Sequence, residues 1–248
     1  MSRSRRVYKV GGPALEDPAL VTPLAKEIGG FEGNVALVHG GGRQVERMLQ
    51  QLGIESRFIE GRRETSPPAM DVVEMVLSGS MNKALASGLL RAGVRAAGIS
   101  GRDGGLIRAA LVPGLGVVGT PERVDPKILE ALWAGGFVPV ISPVSGGPSG
   151  EAVNVNADEA AQWIARQIGA ETLVFLSDVD GVNLDGSPAA TLNEAQIEAR
   201  IADGAIHGGM TMKVRMALDA VRSGIPAVII AGRARLQGGF AGTRISLK

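Results

Sequence analysis

Short apolar runs alternate with amphipathic stretches along most of the chain. Val7-Tyr8-Lys9-Val10 reads as a strand, and a helix is expected over residues 18–28. Residues 34–38 (NVALV) form a second strand, closed by His39 and three glycines. Over residues 44–52, Val45, Met48, Leu49 and Leu52 recur at helical spacing. The same reasoning predicts helices over residues 67–77, 82–92, 126–134, 157–168 and 213–223. It predicts strands over residues 94–99, 137–142, 173–177 and 227–231. Strands separated by helices imply parallel pairing, so the expected fold is α/β: a three-layer α/β/α sandwich around a mainly parallel sheet. Ligands of such sheets bind beyond the carboxyl ends of the strands. Gly40-Gly41-Gly42, the run from Ser100 to Gly105, Ser142, and Ser177-Asp178 all fall there. No linker or low-complexity segment interrupts the pattern. A single domain over residues 1–248 is expected, with approximate lobes at 1–168 and 169–248.

Composition narrows the classes. At 248 residues and 45% hydrophobic, the chain is long enough to bury one large core. A net charge of +1 gives no electrostatic case for nucleic acid or an acidic membrane surface. No apolar run reaches the ~18 residues of a membrane span. No signal-like apolar core follows the basic stretch from Met1 to Arg6. The cytoplasm is the expected compartment. The absence of cysteine excludes disulfides, thiolate metal sites and cysteine nucleophiles. The 36 glycines gather at the ends of apolar runs, which points to tight strand-to-helix turns.

Several polar residues stand out against ordinary structural roles. Lys9 interrupts an apolar strand beside Gly11-Gly12. A strand-end lysine can simply reach solvent, but an ammonium kept inside needs a partner, and glycines let backbone amides approach an anion. Gly40-Gly41-Gly42 precedes a helix, whose amino end attracts anions. The run lacks the Lys-Ser/Thr of a P-loop and the spacing of a dinucleotide fingerprint. His39 reads as a hydrogen-bonded structural residue. Arg63 offers a fork for a carboxylate, although arginines in loops are usually solvated. Asn154, Asn156 and Asp158 alternate, so in an extended segment they share one side. One helix cap needs only one of them. Ser177-Asp178-Val179-Asp180-Gly181 ends a strand, where an Asx turn is the ordinary reading. Lys213, placed at a helix start, opposes the helix dipole and suggests an anion nearby.

Together these pieces resemble the amino acid kinase family, and within it the acetylglutamate kinase branch. The matching segments are Lys9-Val10-Gly11-Gly12, Val38-His39-Gly40-Gly41-Gly42, Gly61-Arg62-Arg63-Glu64-Thr65, Asn82-Lys83, Ser100 to Gly105, Asn154 to Asp158, Leu176 to Val182, and Gly208 to Lys213. They keep the family's order over nearly the whole chain. The resemblance implies ATP-dependent phosphorylation of the side-chain carboxylate of N-acetyl-L-glutamate, a step of arginine synthesis. It implies that Lys9 and Lys213 contact the phosphoryl group in flight and that Asp158 orients both lysines. Gly11 and Gly12 then belong to the nucleotide side, and Gly12, Gly41 and Gly42 donate amides to phosphate oxygens. Arg63 and Asn154 take the substrate α-carboxylate, with Asn156 close by. Ser177, Asp178, Val179, Asp180, Gly181 and Val182, with Ile206, His207 and Gly208, border the nucleotide. Mg²⁺ is held mainly by ATP phosphates, with no dedicated protein cage. Arg43 and Ser66 depart from the residues common in relatives.

The chemistry suits this composition. A carboxylate is already the nucleophile at neutral pH, so phosphoryl transfer needs positioning and charge stabilisation without a general base. Rival readings are a kinase of the same fold with another acceptor, such as aspartate or a carrier-bound aminoadipate, and a non-catalytic amino-acid sensor. Intact Lys9, Asp158 and Lys213 argue against the sensor. A homodimer is expected, using an apolar stripe of Met70, Val73, Val76 and Leu77, which ordinary core packing explains equally well. Only eight residues precede Lys9. The arm that links dimers into arginine-sensitive rings elsewhere in the family is therefore expected to be missing, and arginine inhibition with it.

Overall fold

The computed structural model describes residues 3–11, 19, 21–59, 61–184, 186–232 and 242–248. Its centre is an eight-stranded sheet. The order is Thr191–Asn193, Thr243–Ser246, Ala227–Gly232, Thr172–Ser177, Arg5–Val10, Asn34–His39, Val138–Ser142, Ala96–Ser100. The six strands from Ala227–Gly232 to Ala96–Ser100 run parallel. Thr243–Ser246 pairs antiparallel with Ala227–Gly232 and carries Thr191–Asn193 beside it. The expected α/β sandwich with a mainly parallel sheet is therefore the fold.

Period-two alternation assigns the strand side chains to two layers. Val7, Ala36, Val38, Leu173, Phe175, Val228 and Ile230 enter one core with Ala160, Ala161 and Ile164 of the helix Ala157–Gln167 and Val214, Ala217 and Leu218 of the helix Gly209–Arg222. Tyr8, Val10, Val35, Leu37, Val174 and Leu176 enter the other, with Leu24 and Ile28 of Val21–Gly29 and Leu85 and Leu89 of Asn82–Arg91. Lys9 shares its parity with Val7. The strand therefore sends its one ammonium toward the helix Ala157–Gln167.

Three expectations change. The helices expected over 67–77 and 82–92 are joined: Pro67–Glu74 continues through a π-helical segment, Met75–Met81, into Asn82–Arg91. Ser78-Gly79-Ser80 looks like a break in sequence, yet the chain only widens its turns there. The stripe of Met70, Val73, Val76 and Leu77 is buried in the chain's own core with Val45, Leu49 and Val144, so it offers no surface to a partner. Four strands that the periodicity did not show, Ile107–Leu111, Val118–Val124, Val144–Gly146 and Ala152–Val155, close a small barrel beside the sheet. They are short or interrupted. Pro121 sits where the register with Ile107–Leu111 shifts, a position at which a strand tolerates proline. Among the described residues, no helix is long and apolar enough to cross a membrane.

Candidate active site

A cavity of about 210 Å³ opens at the carboxyl ends of the first two strands. Lys9, Gly11, Gly40, Gly41, Gly42, Arg62, Arg63, Asn154, Asn156 and Asp158 line it, with Val45, Phe58, Val73, Leu77 and Val118 as apolar wall. It therefore gathers residues singled out in sequence from four separate stretches of chain. Gly12 lies outside the described residues.

Lys9 Nζ lies 2.8 Å from Asp158 Oδ1, with the two side chains 15% and 26% exposed. The pair forms because strand parity turns Lys9 toward a helix whose first turn carries Asp158. Gly11 leaves room for the ammonium: a Cβ there would sit 2.2 Å from Lys9 Nζ. Gly40 N donates to Val10 O at 2.8 Å, tying the glycine run to the first strand. Gly41, at φ 153, precedes the helix Gly42–Gln51, whose amino end has no side-chain cap. A Cβ on Gly41 would meet Met81 Sδ at 2.4 Å and Leu77 Cδ2 at 2.7 Å, so the π-helical segment packs directly on the glycine turn.

Asn154, Asn156 and Asp158 do not share one extended segment. The strand ends at Val155 and the helix begins at Ala157. Asn156 is the N-cap, its Oδ1 accepting from Asp158 N at 2.8 Å. Asn154 Nδ2 donates to Thr65 Oγ1 at 3.0 Å, and Thr65 Oγ1 donates to Arg63 O at 2.7 Å. Buried Thr65 thus joins the two residues expected to take one carboxylate; its motif was visible, but its role was not. Ser66 caps the helix Pro67–Glu74 by accepting from Ala69 N at 3.3 Å.

Arg63 is buried and stacked 4.5 Å over the Phe58 ring. Its Nη1 donates to Glu46 and, at 2.8 Å, to Ser56 Oγ, while Nη2 donates to Gly42 O at 3.1 Å. The Arg63 hydrogen bond holds the Glu46 carboxyl below the usual range. Among the described residues, Nε and the second Nη2 hydrogen have no acceptor, which leaves two donors for a carboxylate. Glu46 and Ser56 escaped the sequence reading, because a charged helix residue and a loop serine carry no signal of this use.

His39 is buried below the glycine turn. Its Nδ1 lies 2.9 Å from Gly40 O and its Nε2 lies 3.1 Å from Asn82 Nδ2, the pattern of a neutral ring that donates once and accepts once. Burial pushes its pKa down to about 4. Asn82 Nδ2 also lies 2.9 Å from Val140 O and 3.1 Å from Ile99 O, so its two hydrogens are shared among three acceptors on neighbouring strands. His39 is structural, in line with its sequence reading.

The carboxyl-terminal side is arranged differently. Lys213 sits one turn inside the helix Gly209–Arg222 and not at its start. Its Nζ donates to Ser177 Oγ and lies 3.3 Å from Asp178 Oδ1. Those Lys213 and Asp178 side chains are 41% and 53% exposed. The expected orientation of both lysines by Asp158 is thus not what these contacts give: Asp158 holds Lys9, while Ser177 and Asp178 hold Lys213. The Ser177 hydroxyl first, and Lys213 next, lower the Asp178 carboxyl below its ordinary range. Val179 and Asp180 are exposed beyond the strand end, and Gly181, at φ 140, is buried beneath Thr243. Val182 and Ile206 are packed in the core, while His207 and Gly208 are exposed ahead of the helix. Lys213 is not among the residues lining the 210 Å³ cavity, but its neighbour Met212 reaches that side. A Cβ on Gly61 would meet Met212 Cε at 2.9 Å.

The parallel sheet has glycine turns at its strand ends, one lysine in its first strand, and a second lysine reaching the strand-end Ser177 from a helix. The model of the amino acid kinase family matches residues 4–231. An acetylglutamate kinase of Rubrobacter xylanophilus is 48% identical over 241 residues, covering 96% of this chain and 94% of that protein. One from Bacillus velezensis is 40% identical over 245 residues, covering 96% and 95%. Among solved structures, smu.665 from Streptococcus mutans superposes with a TM-score of 0.82 at 24% identity, covering 98% of this chain and 99% of that one. The chain belongs to the amino acid kinase family.

Proposed function

We propose that the chain transfers the γ-phosphoryl group of ATP to the side-chain carboxylate of N-acetyl-L-glutamate, giving the acyl phosphate used in arginine synthesis. The arrangement that carries this reading is the cavity with Arg63 and its two open donors in one wall and Lys9, fixed by Asp158, in another. The relatives named acetylglutamate kinase match over nearly their whole length, which supports the same acceptor.

The residues divide the work as follows. Arg63 and Asn154 take the α-carboxylate, and Asn156, whose Oδ1 is spent on the cap, has its NH₂ left to donate. The apolar wall of Val45, Val73, Leu77 and Val118 suits an acyl chain better than a free ammonium. The substrate carboxylate needs no base, so the site has only to bring it in line and offset the charge of two anions meeting. Lys9 does so from the acid side and Lys213 from the nucleotide side. Uncapped amides at Gly41 and Gly42, with Gly11 bare beside Lys9, fit phosphate oxygens. ATP supplies the phosphoryl group, and the strand-end loop from Ser177 to Val182 with Ile206, His207 and Gly208 borders it. Among the described residues, no three His, Cys, Asp or Glu side chains cluster to hold a metal. Mg²⁺ is expected to take most of its ligands from ATP.

In this reading residues up to about 168 hold the acid and the remainder hold the nucleotide, and the enzyme works in the cytoplasm. Assembly as a homodimer belongs to it as well, through a surface other than the buried Met70 stripe. The test is ATP turnover with Mg²⁺ against a panel of acids. Acetylglutamate is expected to exceed glutamate and aspartate; equal or faster turnover of aspartate overturns the assignment.

A further inference from the structure

Arg62 lines the cavity, yet nothing above gives it a task. Its Nη1 donates to Thr120 Oγ1 at 2.8 Å and its Nη2 to Glu159 Oε1 at 2.8 Å. Thr120 belongs to the barrel strand Val118–Val124. Glu159 follows Asp158 in the first turn of the helix Ala157–Gln167. One side chain thus ties the hairpin of Phe58–Ile59 and Arg62–Arg63 to the barrel and to the helix that holds Lys9.

The hairpin needs such a tie. Its ladder is two pairs, Phe58 with Arg63 and Ile59 with Arg62, and a ribbon that small does not hold itself. Successive strand residues point to opposite faces. Arg63 therefore grips Glu46, Ser56 and Gly42 on one face while Arg62 grips Thr120 and Glu159 on the other. The Arg62 and Glu159 side chains are 28% and 20% exposed, so solvent screens the pair less than a surface bridge. Glu159 Oε2 is buried without a hydrogen-bond partner, which makes Arg62 the main compensation for that carboxylate. Burial and then the nearby Asp158 charge push the Glu159 carboxyl up, and Arg62 opposes them.

We propose that Arg62 is a positioning residue for the acyl-amino acid. Its bonds to Glu159 and Thr120 set the hairpin, and Arg63 with it, at the separation from Lys9 that the substrate spans. This rests on the function proposed above.

The test compares Arg62→Met, Arg62→Lys, Glu159→Gln and the double variant Arg62→Met/Glu159→Gln. Steady-state kinetics and amide hydrogen exchange over residues 58–65 are the measurements. Arg62→Met is expected to raise KM for acetylglutamate about tenfold with kcat within about twofold. Arg62→Lys should recover part of the loss. The double variant should be no worse than Arg62→Met alone, because both changes remove one interaction. Exchange over the hairpin should quicken in Arg62→Met, a result readable even if the acceptor assignment fails. Unchanged KM, additive losses or unchanged exchange would each overturn the proposal. Should Arg62→Met not fold, Thr120→Val with Glu159→Met removes the same bonds from the other side and is judged by the same measures.

Discussion

In the proposed function Lys9 and Lys213 serve one phosphoryl transfer from opposite halves of the chain, and they are held in unlike ways. Lys9 stands inside the sheet, fixed by strand parity, with a half-buried carboxylate on the adjoining helix as its partner. Lys213 extends from a helix toward a strand-end loop, and its partner Asp178 is exposed. The acid side is organised by the fold itself. The side proposed to hold the nucleotide is a set of groups at a surface that a bound anion would complete. Preorganised charges stabilise a transition state most effectively because they need no rearrangement as the reaction proceeds. The two sides meet where Gly61 of the hairpin touches Met212, next to Lys213.

The largest expected effect tests this contrast directly. Lys9→Met should lower kcat by about 10³-fold and Lys213→Met by about 10²-fold, the scale of losing one donor to developing charge. Lys9→Met should also lower the melting temperature, because it strands Asp158, whereas Lys213→Met should not. Equal melting shifts in the two variants would erase the distinction.

A smaller effect separates the halves by pH. Buried His39 has its pKa lowered from 6.5 to about 4, so the unfolded chain binds the proton more readily. Its contribution to stability is full above pH 6.5 and is lost as the pH falls toward about 4. The shift is worth on the order of 3 kcal/mol. Denaturant unfolding across that range should show the slope, and His39→Asn should flatten it. An unchanged slope in the variant would place the acid sensitivity elsewhere.

The smallest effect belongs to the open side. Asp178→Asn should change stability by less than about 0.5 kcal/mol, as exposed ion pairs generally do. Thermal melts at low and high salt should barely differ between variant and parent. A loss of several degrees would mean that the nucleotide side is as rigidly built as the acid side.

The parallel strands were legible because strands covered on both faces are nearly unbroken apolar runs. The barrel was not, because Val144–Gly146 has three residues and Val118–Val124 contains a proline. Lys9 stood out as an ammonium in an apolar strand, and Asp158 through its alternation with Asn154 and Asn156. Which carboxylate meets which lysine depends on how distant segments pack, and spacing along the chain does not encode that. Asn156 was overinterpreted in part, since capping accounts for its Oδ1. The roles of Arg62, Glu46 and Glu159 were invisible for a simpler reason: charges in loops and on helices are solvated by default, and only the contacts of Glu46 with Arg63 and of Glu159 with Arg62 in the folded chain single these out.

The π-helical segment Met75–Met81 acts as a phase shifter between two helices that would otherwise form one rod. Each residue of an α-helix advances the side-chain direction by about 100°. Deleting a single residue from this segment would let the α-ladder run through. Everything downstream would then rotate relative to the glycine turn. Asn82 would leave His39, Val140 and Ile99, and Met81 would leave Gly41. The angular offset stored in seven residues thus keeps one end of the helix in register with the sheet and the other with the substrate cavity.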